Sequence, residues 1–544
     1  MNLIGNINAI PFRRFRGGGG VAPFPPFPSI PGMIARYSAL GLTNEEMSKN
    51  PVWKDLTGNG HDLQMKNLAW KEGSGISDVY PGALVFDGVD DYGVCENFPI
   101  LTKEKGYTVV ALRQWLSFQD IGYPTLVVNS TDRLAAFSFE DFRNETKSTW
   151  NWGRSVGLSD YKIPLLYTYQ TSTSYNSKTI YAGATEEGSN ILQVCRSGFY
   201  CANAAIWEIV ILDHDATEEE LTKIKDYFVK TYPWLFPDQA WTVTGKTNED
   251  EDRATIANIT GNGNDLVLSN FGFAEGSGYG LYAYNFNSFN LRDNVVKPTD
   301  VKKDSFRIIG TGNSSNLLIL TNESDSANWK IRITGMKEGD SCIVGNANKS
   351  GDYIKIIKDG IYTFQKQYAA TSINGIWYNS SQEVDVLVEQ IPEYEGYLIT
   401  DGVDDKVQSS SFTMNEDWTI VGDWELLSNV QINCGIVKAQ NVYLYNTANG
   451  LLISINNPRS LQSFGTKSLH AICSDGRLYD RNWVEYEYTV DQNFEIVESS
   501  LNIGFNLNNY TQIAFKNLGI YNNQILSKDD CIKAYNYLQT LKAK

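Results

Sequence analysis

Apolar residues in this chain come in short runs broken by Gly, Asn, Asp and Ser, the spacing of strands and turns rather than of helices. Thr108-Val109-Val110-Ala111-Leu112 and Thr125-Leu126-Val127-Val128 read as strands, and so does Ile206-Trp207-Glu208-Ile209-Val210-Ile211-Leu212. Helical patterning arrives only after that third run. Thr217-Glu218-Glu219-Glu220-Leu221 is a capping box that predicts a helix to about Lys230, after which Pro233 and Pro237 predict a linker. The C-terminus ends the same way. Leu518-Gly519-Ile520-Tyr521 precedes Ser527-Lys528-Asp529-Asp530, which caps a helix through Leu541 with Asp in place of Glu at the third helical position.

Two phrases are written twice. Thr57-Gly58-Asn59-Gly60-His61-Asp62-Leu63 returns as Thr260-Gly261-Asn262-Gly263-Asn264-Asp265-Leu266, and the ungapped match to Gly75 and Gly278 holds 11 identities in 19 positions. Asp87-Gly88-Val89-Asp90-Asp91 returns as Asp401-Gly402-Val403-Asp404-Asp405. The first pair is offset by 203 residues and the second by 314, so the second copy carries 314 − 203 = 111 extra residues. Tyr107-Thr108-Val109-Val110 likewise matches Trp418-Thr419-Ile420-Val421.

The expected organisation is an N-terminal arm over 1–32, a first domain over 33–236, a second over 238–290 plus 393–544, and a guest domain over 291–392. Within the guest, Phe306-Arg307-Ile308-Ile309, Trp329-Lys330-Ile331-Arg332-Ile333 and Val384-Asp385-Val386-Leu387-Val388 are among evenly spaced strand candidates. They suit a small immunoglobulin-like β-sandwich whose two ends lie close together.

Composition agrees with an all-β protein of several domains. At 544 residues the chain exceeds what one core can serve, and 31 Tyr, 24 Phe, 13 Trp and 45 Gly favour strands and tight turns. The net charge of −17 argues against nucleic acid as a partner, and no apolar run is long enough to predict membrane insertion. Seven scattered cysteines without a C-x-x-C pair predict mostly reduced thiols. The opening Met1-Asn2-Leu3-Ile4-Gly5 does not read as a secretory signal peptide.

The arm is a territory of its own. Residues 1–44 contain four arginines and no acid, and Gly17 to Gly20 are followed by Pro23-Phe24-Pro25-Pro26-Phe27-Pro28, a density of Gly and Pro that cannot build a core. One reading is a flexible tail. The other is an anchor in which Phe12, Arg13, Arg14, Phe15 and Arg16 dock on another protein.

Trp53-Lys54-Asp55-Leu56-Thr57-Gly58-Asn59-Gly60 followed by Ala83-Leu84-Val85-Phe86-Asp87-Gly88-Val89-Asp90-Asp91-Tyr92 resembles the laminin-G-like, concanavalin A-like jelly-roll domain. The resemblance implies two such sandwiches, the second interrupted by the guest. That second copy departs from the pattern, with Ile256 for Trp53, Asn258 for Asp55 and Thr400 for Phe86. The arrangement as a whole is similar to appendage proteins of tailed phages infecting Bacteroides-type bacteria, including crAss-like phages. That likeness implies a structural virion protein, a homo-oligomer such as a trimer, anchored to other virion proteins through residues 1–32 and facing host-surface glycans. A glycan-degrading enzyme and a bacterial surface adhesin are the alternatives.

Candidate chemistry is sparse. Asp87, Asp90 and Asp91, with their counterparts Asp401, Asp404 and Asp405, read first as fixing a turn through bonds to backbone amides and second as ligands to a structural Ca²⁺. Asp55, Asn59 and Asp62 carry the same two readings. No other cofactor is expected. Trp150, Trp152 and Arg154, with Tyr167 and Tyr169, are candidates for sugar stacking and polar contact, against the plainer reading that these rings fill a core. His61, His214 and His470 are the only histidines, and His61 gives way to Asn264 in the second copy. Glu383-Val384-Asp385-Val386-Leu387-Val388-Glu389 falls short of the Glu-x-Asp-x-Glu strand of some glycosidases, because Leu387 stands where the third acid belongs. The chain is therefore expected not to be an enzyme.

Overall fold

The computed structural model describes residues 25–543, apart from 103–104, 118–124, 130–137, 144–147, 152–153, 157–164, 171–188, 274–275, 282–285, 287–289, 292–295, 314–317, 321–327, 347–352, 366–373, 428–433, 440–441, 448–449, 456–461, 465–468, 489–497 and 507–508. The anchor residues Phe12, Arg13, Arg14, Phe15 and Arg16 lie outside the described residues, as does Trp152.

The chain is all-β, built from sandwiches. In the first copy, Thr108–Ser117 lies between Leu165–Gln170 and Asn203–Leu212, which in turn pairs with Leu84–Asp87 and with Met33–Ser38. A second sheet of eight described strands faces it, running from Arg154–Val156 at one edge to Val52–Trp53 at the other. Between them lies an apolar core that includes Trp53, Leu63, Phe86, Val109, Trp115 and Ile209.

The second copy repeats this plan. Trp418–Leu426 pairs with Ile513–Asn522, which also takes Glu393–Ile399 and the first strand Gln239–Thr242. Its core holds Trp241, Ile256, Leu398, Ile420, Trp424 and Phe515. A bulge marks both central pairs at the same place. Leu112 faces Glu208 and Arg113 faces Ile206, skipping Trp207, while Asp423 faces Asn517 and Trp424 faces Phe515, skipping Lys516. The two copies can therefore be aligned position by position.

The guest enters between Gly278–Leu281 and Glu393–Ile399, two strands that pair with each other and bring its ends together. It is organised around one 18-residue strand, Asn374–Ile391. The first half of that strand pairs with Leu318–Leu320 and Ser341–Asn346, the second with Ser305–Asn313 and Asn328–Thr334. Alternation supplies the core, with Val384, Val386 and Val388 buried against Phe306, Ile308, Ile331 and Phe286.

The segment expected as a linker is instead structural. Pro233–Leu235 forms a single 3₁₀ turn in which Trp234 and Leu235 are buried. They sit in a third core that joins the outer faces of both jelly rolls, with Val210, Leu212, Ile224 and Phe228 from the first and Val421, Tyr521, Ala534 and Leu538 from the second. Tyr521 Oη donates to the Trp234 carbonyl at 2.9 Å, and the Lys533 ammonium sits 4.1 Å over the Trp234 ring. Proline ends the helix here, as the sequence implied, but the aromatic residues beside it are too apolar to leave in water.

Candidate functional site

The acidic turns repeat three amide bonds in both copies. Asp87 Oδ1 accepts the amides of Val89 at 2.7 Å and Asp90 at 3.3 Å, and Asp91 Oδ2 accepts the Asp87 amide at 3.0 Å. In the second copy Asp401 Oδ1 accepts from Val403 and Asp404 at 2.7 and 3.2 Å, and Asp405 Oδ2 accepts from Asp401 at 2.7 Å. Asn67 and Asn270 donate to the carbonyls of Asp90 and Asp404, both at 3.0 Å. Ser277 Oγ donates to Asp405 Oδ1 at 3.0 Å.

Carboxyl oxygens of each trio lie within 4.8 Å of one another. Asp87 Oδ1 and Asp91 Oδ2, like Asp401 Oδ1 and Asp405 Oδ2, are engaged by the turn's own amides, so a Ca²⁺ drawing on these oxygens would compete with the bonds that set the turn. Burial also pushes the Asp405 carboxyl up to about 7 and raises that of Asp91, which favours a held proton over a ligating charge.

The Thr-Gly-Asn-Gly loops are ties to the first strand of each copy. Asp55 Oδ1 accepts the amides of Arg36 and Thr57, and Asp62 Oδ1 accepts that of Asp55. Asn59 Nδ2 donates to the carbonyls of Met33 and Ile34. In the second copy Asn258 Oδ1 accepts from Ala240 and Thr260, Asp265 from Asn258, and Asn262 donates to Asp238. An amide oxygen replaces the carboxylate Oδ1 as acceptor, while Asn258 Nδ2 donates to the Gly263 carbonyl where Asp55 Oδ2 accepts the His61 amide, so the loop forms without the charge of Asp55.

The aromatic candidates divide between two sheets. Trp150 pairs with Ser155 and Asp141, and Arg154 with Asn151, in a hairpin of the eight-stranded sheet. Tyr167 and Tyr169 lie on the opposing sheet, in register with Ala111 and Val109. The fold thus brings Trp150 and Arg154 onto neighbouring strands and keeps both tyrosines apart from them. In the guest, Glu383 and Asp385 are on the solvent face of their strand. Asp385 pairs with Arg307 at 3.4 Å and Glu389 with Arg332 at 3.7 Å.

A different polar cluster lies on the helix-covered face of the second jelly roll. Asp423, 8% exposed, receives three bonds on one oxygen: Tyr397 Oη at 2.8 Å, Tyr535 Oη at 3.1 Å and Gln539 Nε2 at 3.1 Å. His470 is equally buried and stacks on Tyr535 with ring centroids 4.2 Å apart, while Trp483 meets both rings edge-on at 5.4 and 5.7 Å. Burial lowers the His470 imidazole below its ordinary value, so the ring is neutral near pH 7. Arg481, largely exposed, lies 3.7 Å from Glu425. Four segments distant in sequence supply these groups. A register comparison of the copies, which sets Asp423 against Leu112, was the one signal in the sequence that could have drawn attention to them.

No family model matches the chain. No curated protein matches it. Among solved structures, a Trypanosoma rangeli sialidase in complex with sialic acid is similar at 11% identity, over 37% of this chain and 33% of that one, with a TM-score of 0.25. The chain thus spans about a third of the length of that sialidase. The N-terminal CBM22-1–CBM22-2 tandem domain of Xyn10C from Paenibacillus barcinonensis is similar at 8% identity, over 66% of this chain and 90% of that one, with a TM-score of 0.16. Likeness at this level does not transfer a function.

Proposed function

We propose that this chain is a non-catalytic attachment protein, a virion appendage that binds host-surface glycans through its jelly rolls. The observation that carries the glycan reading is the Asp423 cluster. Half-buried rings with a few convergent polar groups are what a sugar needs, ring faces for its C–H surface and fixed acceptors for its hydroxyls. The virion reading rests on the resemblance of the tandem arrangement and on the arm, through which other virion proteins would be met. A homo-oligomer, such as a trimer, belongs to the same reading. The alternative of a glycan-degrading enzyme draws little support from Asp385 and Glu389, which are each paired with an arginine on an open strand face.

The arm is tested by deletion, and the fold sets where to cut. Ile30 is buried in the shared core and Phe27 packs on Tyr227 with centroids 4.7 Å apart, so removal of residues 1–32 would damage the first domain. A chain starting at residue 25 is the right variant. It is expected to keep its thermal transition and to be missing from assembled particles; incorporation at the level of the full chain would refute the anchor.

A further inference from the structure

The duplication provides an internal control for the Asp423 cluster. Through the shared bulge, Asp423 occupies the place of Leu112. Tyr397, four residues before its acidic turn, occupies that of Ala83, and both first-copy residues are fully buried in the shared apolar core. Counting from the helix caps Thr217 and Ser527, Tyr535 stands for Lys225 and Gln539 for Val229. The first jelly roll closes with Leu112 at this position but buries a carboxylate of its own on the same face, Glu208, which is paired with Leu112 across the strands and takes bonds from the Arg36 guanidinium and the Tyr232 hydroxyl. Burying Asp423 in the second copy carries a desolvation cost that no cation among its bonding partners offsets.

Three further features mark the cluster. All three bonds to Asp423 fall on Oδ2, so Oδ1 takes none among the described residues. His470 Nδ1 likewise has no hydrogen-bond partner among them. Trp483 and Tyr394, which flank the cluster, both sit on left-handed backbone at φ 58°, a conformation that bulky side chains rarely adopt and that persists where surroundings over-determine it. Tyr394 lies 5.8 Å from Tyr397.

From this geometry, and resting on the glycan-attachment reading above, we infer that the face formed by Asp423, His470, Arg481 and Trp483 is a binding site for a neutral hexose unit. Trp483 offers a ring face for stacking, Asp423 Oδ1 accepts from a hydroxyl, the buried His470 ring backs the site, and the exposed Arg481 guanidinium donates. The charge pattern selects against acidic sugars. A uronic or sialic acid carboxylate would approach Asp423, Asp480 and Glu425, and the two cations at hand, Arg481 beside Glu425 and Lys516 with its ammonium 5.5 Å over the Tyr397 ring, do not outnumber them.

The test is a glycan array carrying neutral hexose oligosaccharides, uronic acid oligosaccharides and sialylated glycans, probed with the full chain and with Trp483→Ala and Asp423→Asn. The expected result is binding to neutral hexose glycans, weakened about tenfold or more by each variant, with Trp483→Ala still folded at the assay temperature although its melting temperature falls, because the ring also packs against the shared core. If Asp423→Asn does not fold, Trp483→Ala alone decides. Neutral glycan binding untouched by Trp483→Ala overturns the site but leaves the attachment reading standing. Acidic glycans bound through these residues overturn the ligand class, and an array with no bound glycan overturns both.

Discussion

At the scale of single residues, the duplicated phrases are explained by conformation. Gly75 and Gly278 hold φ 145° and 141°, and an added Cβ would come within 2.4 Å of Asn44 Oδ1 in one copy and Asn248 Oδ1 in the other. The acidic turns were legible as turns, and their carboxylates do bond to amides; how deeply Asp91 and Asp405 are buried was not, because burial depends on strands far away in sequence. That burial has a consequence for pH. Asp405 is pushed up to about 7 and Asp238 to about 6 by desolvation, both above the ordinary value near 4 of an unfolded carboxyl. A folded value above the unfolded one means the fold holds the proton more tightly. The stabilising contribution is therefore full below about pH 4 and is lost as pH rises through about 6 to 7. The melting temperature is expected to fall between about pH 5 and about pH 8, and Asp405→Asn, which cannot ionise, should flatten that fall. A slope identical in the variant would show that Asp405 does not titrate there.

At the scale of elements, the two terminal helices were the clearest features of the sequence, and both form where their caps predict. They differ in one methylene. Thr217 accepts the Glu220 amide and Glu220 Oε2 reaches back to the Thr217 amide at 2.8 Å, a complete capping box. Asp530 is too short for that return bond and instead accepts from the Ser527 hydroxyl at 2.7 Å. Thr217→Ala should cost about 1 kcal/mol of stability, and Asp530→Glu should add a few tenths by completing the second box, both measured by urea denaturation. Strand positions were similarly legible from alternation, as Val384, Val386 and Val388 show. Strand partners were not, since period two assigns a face but not the neighbouring strand.

At the scale of the whole molecule, the surprise is the joint. Trp234 lies in a core shared by both jelly rolls, where α-helical and sheet residues of each copy meet around one 3₁₀ turn. Trp234→Ala should remove about 3–5 kcal/mol and split a single calorimetric transition into two, because the deleted ring couples the copies. One cooperative transition in the variant would mean that the joint does not depend on that ring. By itself the sequence determined the repeat, its interruption, the strand faces and the capped helices, all of which follow from local pattern and from the spacing of matched phrases. Only the tertiary structure decided that a proline-marked connection is buried, and that Asp423, His470, Trp483 and Tyr535 converge on one face. Convergence of distant residues is a product of packing, and no local pattern encodes which apolar face covers a given turn or which side chains a sheet brings together.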